Sequence, residues 1–180
     1  DFCDRIGVAK ANSLVDKALL EHCVREALSA KAERVMAILR PLKVVLTNYP
    51  EGQTEWLEAE LHPDLPEKGG RKIPFTRELF IDQDDFMEEP VKKFFRLAPG
   101  KEVRLKHGYI IQCNEVIKDA ETGGIIELRC TYDPISKSGM DQSGKKVKGT
   151  IHWASAEYAV AATIRLYEDL ILNGSEPDLD

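Results

Sequence analysis

The sequence predicts an α+β chain, a short N-terminal helical part followed by an antiparallel β-barrel or sandwich. Three observations carry that prediction. Apolar residues recur at helical spacing between positions 14 and 28, and from about residue 34 β-branched residues take over. Beyond that point, strand-like stretches alternate with loops of Gly, Pro, Asp, Ser and Lys.

Asn12-Ser13 precedes LVDKALLEHCVREAL, with Asp16 three residues after Ser13, an N-cap with an acidic partner in the first turn. Val15, Leu19, Leu20, Cys23, Val24, Ala27 and Leu28 then mark one apolar face, so 14–28 is expected to be helical. Residues 1–8 read as the end of an earlier helix. Pro41 interrupts the β-branched run MAILRPLKVVLTNY, which predicts two strands or a bent one with Pro41 at an edge or bulge. Further strands are expected near 54–61, 73–81, 101–118, 124–133, 147–153 and 159–167. The loop 134–146 is too long for a simple hairpin.

With 43% hydrophobic and 31% charged residues, the chain has the composition of a soluble protein with a real core. No apolar run approaches the roughly 18–20 residues that cross a bilayer, and the opening DFCDRIG is not a signal peptide. An apolar Phe2 beside a non-Met start reads as a segment cut from something larger. Cys3, Cys23, Cys113 and Cys130 form no CxxC pair, which argues against zinc fingers and dithiol redox motifs. The last three lie among apolar neighbours and read as buried free thiols in a reducing, cytoplasmic compartment.

Catalytic signals are poor. His22, His62, His107 and His152 are scattered, without metal-ligand spacing, and Glu88-Glu89 are adjacent rather than facing. GMDQSGKK at 139–146 fits Gly-x4-Gly-Lys, but Lys146 stands where magnesium needs Ser or Thr, and a strand follows rather than a helix.

A net charge of −6 does not exclude a nucleic-acid partner, because binding depends on a local basic face. Residues 92–106 hold such a cluster: Lys92, Lys93, Arg96, Lys101, Arg104 and Lys106 against one acid, Glu102. A helical turn over 88–96 would put Lys92, Lys93 and Arg96 on one face, above Phe94, Phe95 and Leu97. In EVRLK, strand alternation puts Arg104 and Lys106 on one face and Val103 and Leu105 on the other. Cations on a rigid sheet suit phosphates and base edges of splayed RNA, although a charge run is more often a solvated face. Arg71-Lys72 and Lys145, Lys146 and Lys148 are weaker patches.

The order of segments resembles bacterial-type glutaminyl-tRNA synthetases. The match rests on FCDRIGVAK (2–10), PLKVVLTNYPEG (41–52), HPDLPEKGGRKIPF (62–75), LFIDQDDF (79–86), RLAPGKEVRLKHGYII (96–111), KVKGTIHWASA (146–156) and IRLY (164–167). The resemblance implies a helical subdomain over 1–33 and a proximal anticodon-binding barrel over 34–153. That barrel is of the kind found in a ribosomal protein that binds 5S RNA. Residues 154–180 would begin the passage to a distal barrel. The family's ATP-site signatures of HIGH and KMSKS type are absent, so the segment is expected to supply tRNA recognition and no catalysis. ATP and magnesium would be used by the parent enzyme, a glutamine-tRNA ligase, and no cofactor by this part. The implied partner is the anticodon loop of tRNA(Gln), bound by a monomer, with neither DNA nor membrane involved.

By the same resemblance, Arg96, Arg104 and Arg34 match positions that face the anticodon. Lys106 stands where relatives often carry Arg, keeping the charge without the bidentate fork. Lys93 and Phe95 depart from the expected polar or basic residues, and Asp64 stands where Asn is common. A glutamyl-tRNA synthetase of the same barrel type and a barrel serving only protein contacts are the alternative readings.

Overall fold

The computed structural model describes residues 1–8, 10, 12, 14–62 and 65–167. The chain divides into two compact units, one of 1–35 with 60–70 and the other of 36–59 with 71 onward.

In the first unit, α1 (Phe2–Ile6) ends at Gly7, whose φ of 72° is one that glycine adopts freely. The longer α2 spans Lys17–Lys31. Its start is three residues later than the apolar spacing predicts, because Asp16 is the cap itself: its Oδ1 accepts from Ala18 N at 2.9 Å. Ser13, the expected cap, lies outside the described residues. Arg5 ties α1 to α2 through Glu26 at 2.6 Å. Of the apolar face read from the sequence, Cys23 is buried, while Leu20, Val24 and Leu28 stay exposed within this unit.

The second unit is mostly sheet. Its strands are β1 (Pro41–Leu46), β2 (Glu55–Glu60), β3 (Gly70–Phe75), β4 (Glu78–Asp82), β5 (Glu102–Leu105), β6 (Ile110–Lys118), β7 (Ile125–Asp133), β8 (Thr150–Ile151) and β9 (Ala154–Ser155). Seven of them follow the order β8-β5-β6-β7-β1-β4-β9, and β2 pairs with β3 apart from these. The two end strands belong to one extended run, 150–155, so the ladder returns on itself and the sheet curls around its core. A register shift between Cys113 and Glu115, of the kind that sharpens local twist, aids that curl.

Three expectations need correction. The ladder is mixed rather than antiparallel: β1 runs parallel to β7, and β5 parallel to β8. Turn residues report only on how consecutive strands connect, and these two pairs are far apart in sequence. Pro41 occupies neither an edge strand nor a bulge but opens the interior strand β1, where its missing N–H interrupts no ladder. Residues 159–167 form no strand. Among the described residues no strand lies beside them to take up their backbone groups, and Val160, Leu166 and Tyr167 remain exposed.

The core is aromatic at its centre. Phe75 packs edge-on against Tyr49 and Trp153, with centroids 5.2 and 5.3 Å apart, and Tyr109 and Tyr132 complete the cluster. Burial, aided by Glu55, pushes the Tyr49 phenol up to about 12. Trp153 is wholly buried between β8 and β9, and its Nε1 donates to Lys106 O at 2.8 Å. Cys113 and Cys130 lie opposite one another across β6 and β7 as buried free thiols, as their apolar neighbours foretold. Among the described residues, no helix is long and apolar enough to cross a membrane.

Candidate nucleic-acid interface

The parallel pairing of β5 with β8 brings three basic segments together: 92–97, 101–106 and 145–150. Arg104 N donates to Gly149 O, and Lys106 N to Ile151 O, both at 3.0 Å. Gly149 in turn lies against the 92–97 segment so closely that a Cβ there would stand 1.6 Å from Phe95 O. Only glycine permits this approach.

The expected helical turn over 88–96 does not form. Phe94 N donates to Val91 O at 3.0 Å to close a tight turn in which Lys93 takes a φ of 73°. The chain is then drawn out, because Leu97 N donates to Asp85 O and Met87 N to Leu97 O, beside a parallel bridge between Phe86 and Leu97. Main-chain donors committed to that ladder cannot close helical bonds. Leu97 is buried as expected. Phe95 is not: it is 50% exposed, and the Lys148 ammonium stands 5.0 Å from its ring centroid.

Arg96 is held at its root. Its Nη1 donates to Asp85 Oδ1 at 2.7 Å and to Asp84 O at 3.2 Å, while the side chain remains 51% exposed. Among the described residues its other nitrogens have no partner, so a planar donor edge stays open. Asp85 is almost buried, and that burial raises its carboxyl above the usual range despite the Arg96 guanidinium.

Arg104 is placed on the outer face of β5, as alternation requires, with Val103 and Leu105 buried on the inner face. Its guanidinium is already occupied. Nη1 donates to Ser136 O at 2.7 Å and Nη2 to Asp141, and the side chain is only 21% exposed. Lys106 follows β5 in the turn to β6, half-buried, and its ammonium has no acidic partner among the described residues. The same holds for Lys92, Lys93 and Lys101, all of them exposed. Lys145 belongs to a different category: it bridges Glu102 at 2.7 Å and Asp133 at 3.0 Å, and these carboxylates raise its own affinity for a proton.

Arg34 lies in the other unit, where its Nη2 is 3.3 Å from Ser29 Oγ and 3.1 Å from His62 Nε2. Asp64 lies outside the described residues. The basic-cluster reading missed Ser136 and Asp141. Their one sequence signal was the length of the loop 134–146, which does not single out either residue, since their role depends on that loop folding back over β5. Among the described residues, no cluster of His, Cys, Asp or Glu could hold a metal ion.

Unpaired ammonium groups, an exposed aromatic ring and two oriented guanidiniums on a curled sheet define a surface suited to a phosphate-bearing, unstacked ligand. Comparison with known proteins gives that surface a family. Residues 32–133 match the family model described as the anticodon-binding domain of class I tRNA synthetases (E and Q). The chain is 59% identical over 178 residues to a glutamine–tRNA ligase of Bradyrhizobium diazoefficiens, covering 99% of this chain and 32% of that protein. It is 54% identical over 178 residues to the glutamine–tRNA ligase of Clostridium kluyveri, with the same coverage. To that of Pseudomonas putida it is 52% identical over 170 residues, covering 94% of the chain and 30% of the relative. The chain belongs to this family of class I synthetase anticodon-binding domains. It spans about a third of the length of the curated relatives it matches.

Proposed function

We propose that this chain grips the anticodon loop of tRNA(Gln), within an enzyme that joins glutamine to that tRNA at the expense of ATP with magnesium. The carrying observation is the corner at Arg96. A guanidinium oriented by an almost buried carboxylate stands among lysines, and among the described residues neither its remaining donors nor those lysines have acidic partners. Such an arrangement offers phosphates a positive field and one base edge a rigid fork. The glutamine–tRNA ligase names of relatives covering nearly the whole chain favour glutamine over glutamate as the amino acid served.

In this reading Arg96, Arg104 and Lys106 act from the barrel, with Lys93 adding backbone-directed charge. Arg34 acts from the junction between the helical subdomain, 1–33, and the barrel, 34–153. The barrel resembles that of the 5S-RNA-binding ribosomal protein, residues 154–180 lead toward a second barrel, and the protein works as a cytoplasmic monomer.

The test is a titration of the chain against tRNA(Gln) anticodon stem-loops, cognate and scrambled, at low and moderate salt. Salt-sensitive binding that favours the cognate loop is expected. Salt-sensitive binding without preference would move discrimination elsewhere, and absence of binding at low salt would leave the lysines as a solvated surface.

A further inference from the structure

Arg104 is a half-buried cation of the basic face, and its two terminal nitrogens are both engaged, by Ser136 O and by the Asp141 carboxylate. The two partners differ in kind. Ser136 is wholly buried; its Oγ accepts from Ile110 N at 2.8 Å and donates to Asp133 O at 2.7 Å. Nearby, Ser138 N donates to Gly108 O at 2.9 Å. The start of the loop is thereby fixed to the sheet without any help from Arg104. Asp141 is at the surface, held by its own turn through the backbone N and hydroxyl of Ser143 at 2.8 and 2.6 Å. A partly exposed ion pair of this kind is worth little net free energy and exchanges readily against another anion.

We propose that Asp141 is a built-in occupant of the Arg104 donor edge, an intramolecular anion that an RNA phosphate or base acceptor displaces on binding. The proposal rests on the reading of this face as an anticodon-loop site. The Ser136 carbonyl keeps the guanidinium oriented throughout, while the Asp141 contact is the one that is exchanged. Nonspecific anions then meet a neutralised Arg104, and only a ligand already docked on the free lysines and Arg96 competes at high local concentration. Asp141 thus raises selectivity at the expense of affinity, as repulsive elements do in other recognition surfaces.

The experiment is a double-mutant cycle on this chain with the cognate stem-loop, using Asp141→Asn and Arg104→Ala singly and together. Asp141→Glu serves as the charge-conserving control. Freeing Arg104 is expected to tighten binding about 2- to 10-fold, within the range of coupling between contacting residues. In the Arg104→Ala background the gain should fall to the smaller long-range effect of removing one negative charge, and Asp141→Glu should show no gain. Equal gains in both backgrounds, or weaker binding by Asp141→Asn, would overturn the proposal and make the pair a structural clamp. Absence of salt-sensitive binding by the wild-type chain would instead remove the anticodon-loop reading beneath it.

Discussion

Arg96 and Arg104 come from the same basic run and carry the same group, but the fold treats them differently. Arg96 sits at the end of a short parallel bridge with its Nη1 on an almost buried carboxylate, and half of its side chain faces solvent. Arg104 sits mid-strand under a returning loop, with a backbone carbonyl and a partly exposed carboxylate on its two terminal nitrogens. The first is oriented and open; the second is oriented and covered. Charge count along a sequence treats these as equal, whereas a ligand does not.

The strongest way to break the comparison is to destroy the support that both arginines share. Gly149→Ala would drive a Cβ into the Phe95 carbonyl, displacing the segment that carries Arg96 and the strand that supports Arg104. Destabilisation of about 1–3 kcal/mol is expected, as for overpacking in a close-packed region, read as a lower unfolding midpoint with RNA binding lost alongside. An unchanged midpoint would mean that the contact yields at little cost.

Next in size is the direct contrast. Arg96→Ala is expected to weaken cognate stem-loop binding by about 1–3 kcal/mol, as for loss of a base-directed arginine. Arg104→Ala should fall at the low end of that range, because part of what it removes is already spent on Asp141. Both should cost more on the cognate than on the scrambled loop. Equal loss on both RNAs would identify a phosphate contact instead.

The smallest effect concerns Asp85. Its folded pKa is raised, chiefly by burial, so folding with the carboxylate charged is unfavourable once pH exceeds its unfolded value. The penalty grows as pH rises from the unfolded value through the folded pKa and is fully present above it. Asp85→Asn should therefore leave the melting temperature at pH 7 unchanged or raise it by about 2 °C, while loosening Arg96 and lowering RNA affinity. At a pH below both values the stability gain should vanish. A fall in melting temperature at pH 7 would show that the ion pair outweighs the burial.

Much of the fold was legible in sequence because its signals are local. Alternation in EVRLK placed Val103 and Leu105 inside and Arg104 outside, and that is how β5 lies, although the strand ends before Lys106. Apolar spacing found α2, although it could not tell a capping Asp16 from a first-turn acid, since both sit beside the same start. The candidate site was legible only as a concentration of charge. Lys145 counted as a basic patch, yet it is neutralised by Glu102 and Asp133, which come from β5 and β7.

By itself, then, the sequence determined the helix-to-sheet order, the inward and outward faces of the strands, the buried thiols and the stretch of chain that carries the positive charge. These follow from periodicity and side-chain chemistry over a few residues. Tertiary structure alone decided that the ladder is mixed, that 150–155 joins its two ends, and that Gly149 must admit the Phe95 carbonyl. It alone decided which guanidinium is open and which is covered. The reason is physical. A cation's availability depends on the anions that reach it through space, and the carboxylate that covers Arg104 lies on a loop brought back by hydrogen bonds to β6 and to the β5–β6 turn.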